Sequence, residues 1–281
     1  MAPKKKPTAE PTETDTPALA GRVICPLQSS GRMGKSTFMD LLLGWLDHAE
    51  VDWRGLDFDG VHKTLSRAYE NVHLLPLNDG EAIPRLVDAL AHEEPVPVTA
   101  LDMPAQAVDQ LIRDFDEYGI MEAMEVQRLR LTIPLFLVDD QSARESMAKV
   151  LKAFGTRADF VFVRNPVKGK STGVEATPVV AGMIEKGTPI ITLPTLTERT
   201  RDAITAVSRQ EKKFFPLSSM RDVLPLGPRV ELAKFVPRVW LQMEEAAAVL
   251  LPDVSLIRNR VSAVADARAG ANGEEIDPYD V

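Results

Sequence analysis

Short apolar runs alternate with helically spaced segments along most of this 281-residue chain, and that alternation constrains the fold more than any single residue does. Arg22–Leu27 is the first run; Val51–Phe58, Pro97–Asp102, Ile133–Val138, Asp159–Arg164 and Thr188–Leu193 follow. Between them apolar residues recur at helical spacing, as with Phe38, Leu41, Leu42, Trp45 and Leu46 within 36–48. Similar patterns cover 81–92, 105–126, 142–154 and 175–186, and two more helices are expected over 198–215 and 228–249. Strands this short and this apolar, joined by helices, predict a doubly wound, mainly parallel α/β sheet covered on both faces. Ligands in such sheets bind beyond the carboxyl ends of the strands. Residues that carry chemistry are therefore sought just after each run.

Composition sets the limits of the domain. Residues 1–20 are rich in Pro, Thr, Glu and Ala, and 264–281 are small and acidic; both are expected to be disordered tails around a single domain, 21–263. Asp and Glu total 41 against 33 Lys and Arg, a formal charge of -8, so the chain as a whole does not attract nucleic acid. Cys25 is the only cysteine, which excludes an internal disulfide and a cysteine-based zinc site and suits a reducing cytoplasm. His48, His62, His73 and His92 are scattered without metal-ligand spacing. No stretch is apolar for long enough to cross a bilayer, and no membrane role is expected.

The segment Ser29-Ser-Gly-Arg-Met-Gly-Lys-Ser-Thr37 lies between the first run and the first helix. Gly34-Lys35-Ser36 ends the phosphate-loop pattern G-x-x-x-x-G-K-[ST], with Ser29 in place of its first glycine. Gly31 and Gly34 allow the backbone to curl with its N–H groups inward, around Arg32 and Met33. The helix N-terminus adds partial positive charge. In that setting Lys35 neutralises β- and γ-phosphates, and the Ser36 hydroxyl ligates Mg²⁺.

Ser30–Thr37 resembles the deviant phosphate loop, K-G-G-x-G-K-[ST]-T, of the partition and division-site ATPases of ParA/MinD type. The preceding Leu27-Gln28 is similar to the related plasmid-stability and conjugative-transfer ATPases of StbB/TraL type. Two positions depart: Ser30 stands where the family has its signature lysine, which reaches a partner's nucleotide across a dimer, and Arg32 replaces the second glycine. Arg32 offers a guanidinium that can also meet phosphate oxygens. The resemblance implies a P-loop NTPase fold, ATP and Mg²⁺ as cofactors, and cofactor contacts from Ser30 through Thr37. It further implies that Asp59 of Asp57-Phe-Asp59-Gly60 places the attacking water and that Asp57 lies near the metal. An apolar strand ending in acid fits both Asp102 and Asp139; the family order of segments favours Asp102 as the carboxylate beside Mg²⁺, leaving Asp139 and Asp140 to the rim or to a helix cap. By the same resemblance Asn165 bonds the adenine, and the loop at Pro194 covers the base.

These residues lead to the expectation of an ATP-binding, slowly hydrolysing switch that acts in plasmid maintenance, DNA positioning or conjugative transfer. A nucleotide-dependent homodimer, a partner protein that stimulates hydrolysis, and non-specific DNA are the expected partners. The DNA expectation rests on Arg199, Arg201, Arg209, Lys212, Lys213, Arg229, Lys234, Arg238, Arg258 and Arg260, whose bland reading is a solvated helix face. The missing lysine motivates an alternative, a non-hydrolysing nucleotide-binding adaptor of the same fold. A metabolic kinase or synthetase ranks last, since no acceptor motif accompanies the loop.

Overall fold

Gly21–Ile24 forms β1, the central strand of a seven-stranded, all-parallel sheet with the order β3-β2-β4-β1-β5-β6-β7. The computed structural model describes residues 18–91, 94, 96–211 and 214–257. Nearly all of the two expected tails, together with His92, Lys212, Lys213, Arg258 and Arg260, lies outside the described residues. After β1 come α1 (Lys35–His48), β2 (Trp53–Asp57), α2 (Thr64–Ala68), β3 (Val72–Leu74), α3 (Ala82–Ala91) and β4 (Val98–Asp102). The chain then crosses β1 through α4 (Val108–Glu117) and α5 (Ile120–Val126) to β5 (Leu129–Phe136). It continues through α6 (Gln141–Phe154), β6 (Ala158–Arg164), α7 (Thr172–Glu175), α8 (Pro178–Glu185) and β7 (Ile190–Thr192). It ends in α9 (Glu198–Gln210), α10 (Leu226–Glu245) and α11 (Ala247–Leu250).

Two apolar layers sandwich the sheet. Side chains of α1, α2, α10 and α11 cluster on one face, and those of α3 to α6 and α8 on the other. Neighbouring strands β1 and β5 send the chain in opposite directions, to β2 on one side and β6 on the other. Such a reversal opens a crevice at the carboxyl ends, and the loop 25–34 fills its mouth.

The sequence reading missed β3 and α2, each too short to show a period: Val-His-Leu and Thr-Leu-Ser-Arg-Ala. The helix expected over 105–126 is two helices, parted where Gly119 takes a left-handed φ of 60°. The strand expected from Ile133 begins four residues earlier, at Leu129, and runs through Pro134. A proline is costly in a central strand because it lacks the ladder N–H. Here β1 ends at Ile24, opposite Thr132, so its backbone has left the sheet before it would face Pro134. The Gln28 side chain takes over that edge, donating to the Phe136 carbonyl at 3.1 Å and accepting the Phe136 N–H at 2.5 Å.

At the other end of β1, buried Arg22 ties the last helix to the sheet. Its guanidinium donates to the carbonyls of Leu251 (3.0 Å) and Ala248 (2.7 Å), to the Thr132 hydroxyl (3.2 Å) and to Asp159. Arg130 meets the same carboxylate at 2.9 Å, and the arginines hold it below the usual carboxylate range against the opposing effect of partial burial.

Candidate functional site

Helix α1 starts without a side-chain cap. Gly34 precedes it in a left-handed conformation, φ 102°, and its carbonyl accepts the Phe38 N–H at 2.8 Å, the first bond of the helix. The N–H groups of Lys35, Ser36 and Thr37 therefore have no partner within the helix. Their dipole end faces a cleft of about 600 Å³ walled by the loop on one side and by Asp59, His62, Pro104 and Gln106 on the other. Arg32 is also left-handed, φ 59°, with its side chain exposed on this cleft. At Gly34 an added Cβ would sit 2.7 Å from Asn165 Nδ2. Gly34→Ala is expected to cost about 1–3 kcal/mol in urea unfolding, through backbone strain and this clash.

Lys35 is buried, and its Nζ donates to the carbonyls of Gln28 (2.9 Å) and Ser30 (3.1 Å). Burial pulls its pKa down, opposed by the nearby charges of Asp102 and Asp59. Asp102, at the end of β4, is 1% exposed, and neither carboxylate oxygen has a hydrogen-bond partner. Burial pushes its carboxyl up to about 7; Ser36 and Lys35 favour the charged form, while Asp57 and Asp59 oppose it. The Ser36 hydroxyl is thus close enough to act on Asp102 without making a hydrogen bond of sound geometry. A buried carboxylate short of partners, next to a hydroxyl at a helix N-terminus, is the donor set that a hard divalent cation takes.

The other acids have different surroundings. Asp57 pairs in register with Asp102 across β2 and β4, but its oxygens already accept from Asp59 N–H (3.0 Å), Ser66 N–H (3.0 Å) and the Ser66 hydroxyl (2.9 Å). It holds the turn that carries Asp59. Asp59 reaches the cleft wall and accepts from the N–H groups of Val61 and His62, both at 2.9 Å, and its other oxygen lies 3.2 Å from His62 Nδ1. Asp139 is exposed and pairs with Arg144 at 3.4 Å. Asp140 caps α6, accepting the Ala143 N–H at 3.0 Å, and also accepts from the hydroxyls of Ser142 (2.6 Å) and Ser30 (3.1 Å). These bonds, the Ser142 hydroxyl first, hold its carboxyl below the usual range.

Ser30, at the signature-lysine position, is therefore fastened into its own chain. Asn165 Nδ2 donates to the Met33 carbonyl at 2.8 Å, supporting the loop from the β6 side. The adjoining Arg164 is fixed by a two-pronged pair with Glu175 at 2.8 and 2.7 Å. Buried Leu193 lies against Gly34, and Pro194 follows it at partial exposure. Lys35, Ser36, Asp59 and the flanking loop are brought to one cleft, with Asp102 buried behind Ser36; Asn165 and Pro194 are not on its wall. Sequence reasoning assigned no role to the Gln28 stitch or the His62 contact. It left Asp139 and Asp140 to the rim or to a helix cap; Asp140 is the cap of α6, and its bond with Ser30 was not foreseen. In the basic last third, Arg201 and Arg229 direct guanidinium hydrogen bonds to the carbonyls of Leu196 and Leu224.

A strand, a glycine-bearing loop and an uncapped helix at the centre of a doubly wound parallel sheet make up the P-loop NTPase fold. No family model matches the chain, and no curated protein matches it. Among solved structures, chloroplast FtsY from Physcomitrella patens is similar at 13% identity and a TM-score of 0.45, over 63% of this chain and 59% of that one. The chain thus spans about three fifths of that FtsY. The MinD cell division protein of Aquifex aeolicus is similar at 15% identity and a TM-score of 0.44, over 78% of this chain and 96% of that one. A candidate plasmid partition protein from Borrelia burgdorferi B31, bound to AMPPNP, is similar at 10% identity and a TM-score of 0.44, over 80% and 99%. Likeness at this level carries no argument about activity. Among the described residues no helix is long and apolar enough to cross a membrane.

Proposed function

We propose that the chain binds ATP with Mg²⁺ at this loop and works as a slowly hydrolysing nucleotide switch of ParA/MinD type, in plasmid maintenance, DNA positioning or conjugative transfer. One observation carries the reading: buried Asp102, both oxygens unpartnered, lies with Lys35 and Ser36 at the uncapped start of α1. A polyphosphate satisfies the free N–H groups and draws Lys35 Nζ off its loop carbonyls. Ser36 and Asp102 would hold the cation, which when bound would supply positive charge to the phosphate oxygens. Asp59, across the cleft, orients the water, and Asp57 fixes the turn that aims it. Arg32 is the arginine on the cleft wall, and its exposure there suits slow unaided turnover. Exposed Val61 beside His62 at the rim suits a nucleotide-dependent homodimer or a stimulating partner protein.

The adaptor reading draws on Ser30: its hydroxyl bonds Asp140 and Ser142 of the same chain, so the position offers no cation to a second copy's nucleotide. Calorimetry, phosphate release and light scattering separate the readings. Wild type should take up MgATP, release phosphate slowly and double in mass with ATP but not ADP. Lys35→Ala should bind ATP at least about 100-fold more weakly, having lost a desolvated charge contact. Equal phosphate release by both proteins with ATP still bound would favour the adaptor. Absence of any nucleotide uptake by folded wild type would remove both.

A further inference from the structure

A second cleft, of about 550 Å³, opens off the phosphate cleft. The two share Ser36, Thr37 and Thr64, and Thr64 begins α2 directly after the turn that carries Asp59 and His62. Apolar side chains wall it: Leu65 and Ala68 of α2, Ile204 of α9, and Phe214 and Phe215 beyond it. Asp40 of α1 supplies an acceptor inside. It takes the Tyr69 hydroxyl at 2.7 Å and the Leu217 N–H at 3.1 Å, which leaves lone pairs for a further donor. Burial pushes its carboxyl up to about 6, so at neutral pH and above it is ionised. The mouth is basic: Arg209 lines it, and the Arg67 guanidinium lies 5.4 Å from the Phe214 ring centroid. Among the described residues neither arginine is in an ion pair with a carboxylate. These features together fit an aromatic side chain with a polar tip, carried on an acidic segment.

This chain carries such a segment. Of its three tyrosines, Tyr69 is buried and Tyr118 caps α4. The third, Tyr279, belongs to Glu274-Glu-Ile-Asp-Pro-Tyr-Asp280, outside the described residues. We infer that residues 274–281 dock in the cleft, with Tyr279 among its apolar walls, its hydroxyl toward Asp40, and the flanking carboxylates on Arg67 and Arg209. The segment is within reach. Ile257, where the described residues end, packs in the same apolar layer as Leu65 and Met220. Residues 258–273 span about 55 Å when extended, against a radius of gyration of about 18 Å for a domain of this size. Docked there, the carboxylates lie beside Thr37 and Thr64 and repel an arriving polyphosphate, so the segment is an internal competitor of the nucleotide. Docking stands without the nucleotide reading above; the competition rests on it.

The test uses the full chain. Ser208→Cys, in the cleft, is combined with Val281→Cys, and disulfide formation under a mild oxidant is followed by mass spectrometry. In a control pair Glu122→Cys, exposed on α5 against the opposite layer, replaces Ser208→Cys. Cys25 is buried and does not compete. The cleft pair should cross-link within one molecule about tenfold or more faster than the control pair. Adding Arg67→Glu, or Tyr279→Ala beyond the folded core, should bring the two rates together. MgATP should slow the cleft reaction, and Tyr279→Ala alone should bind MgATP about threefold or more tightly, since a competing state is removed. Equal rates for the two pairs overturn the docking. So does a cleft cross-link that joins two copies, or one that Tyr279→Ala leaves undiminished. Undiminished cross-linking with ATP bound, as read by calorimetry, overturns the competition. A protein that takes up no nucleotide overturns the earlier reading, while the cross-link still decides the docking.

Discussion

Asp102→Asn is expected to make the ligand-free protein more stable at pH 8 while abolishing Mg²⁺-dependent nucleotide binding. The wild-type carboxyl is buried, unpartnered and pushed up to about 7. In the unfolded chain it titrates near pH 4. Between those values the folded state holds the extra proton, so stability falls as pH rises from about 4 to about 7 and then levels off. Asn removes that slope. The gain at pH 8 is at most about 4 kcal/mol, and closer to 1 if Lys35 suffers from the loss of a neighbouring negative charge. Urea unfolding at pH 5 and pH 8 measures the slope, and calorimetry with and without Mg²⁺ measures the function. A variant no more stable than wild type at pH 8, or one that keeps its Mg²⁺ dependence, would sink the assignment. Stability given up at one buried carboxylate is what a cation-holding residue is expected to show.

Arg22→Ala should have the largest effect on folding. The side chain serves the Ala248 carbonyl of α11 and the Leu251 carbonyl just after it, a hydroxyl and Asp159, all at the amino end of β1, away from the phosphate loop. Truncation leaves those acceptors without their donor, and leaves Asp159 to Arg130 alone. The expected loss is about 3–5 kcal/mol, a large share of the roughly 5–15 kcal/mol typical of a domain. Arg22→Lys should recover little of it, because one ammonium cannot reproduce the planar fork. Nucleotide affinity measured at a temperature where the variant is folded should match wild type. Denaturant titration that shows less than about 1 kcal/mol for Arg22→Ala would mean that α11 docks without this clamp.

The long elements of the fold were legible because burial stamps a period on them. Phe38, Leu41, Leu42, Trp45 and Leu46 all face the core of one layer, and the helix over 36–48 follows. Val161 and Val163 of β6 face one layer and Phe162 the other, which is why that strand reads as a continuous apolar run. What stayed hidden depends on partners far along the chain. Nothing near Val72 announces β3, since its register is set by Gly55, Leu56 and Asp57. The phosphate loop was legible because Gly34, Lys35 and Ser36 act through local backbone. The contrast between Asp102 and Asp139 was not, because in the sequence both close apolar runs. Only the tertiary arrangement buries one behind α1 and leaves the other exposed beside Arg144. The surroundings of Asn165 were equally out of reach, since Met33 lies 132 residues away.

Gln28 and Ser30 stitch the leading half of the loop to the β5–α6 side, whereas the bonds of Asp59 stay inside its own turn. The two banks of the cleft therefore differ in stiffness. On the proposed binding of a nucleotide, residues 59–62 are the bank expected to adjust, since the hydrogen bonds of Asp59 stay within that turn. Val61, 83% exposed at the tip of that turn, becomes the outward pointer that a second molecule would feel.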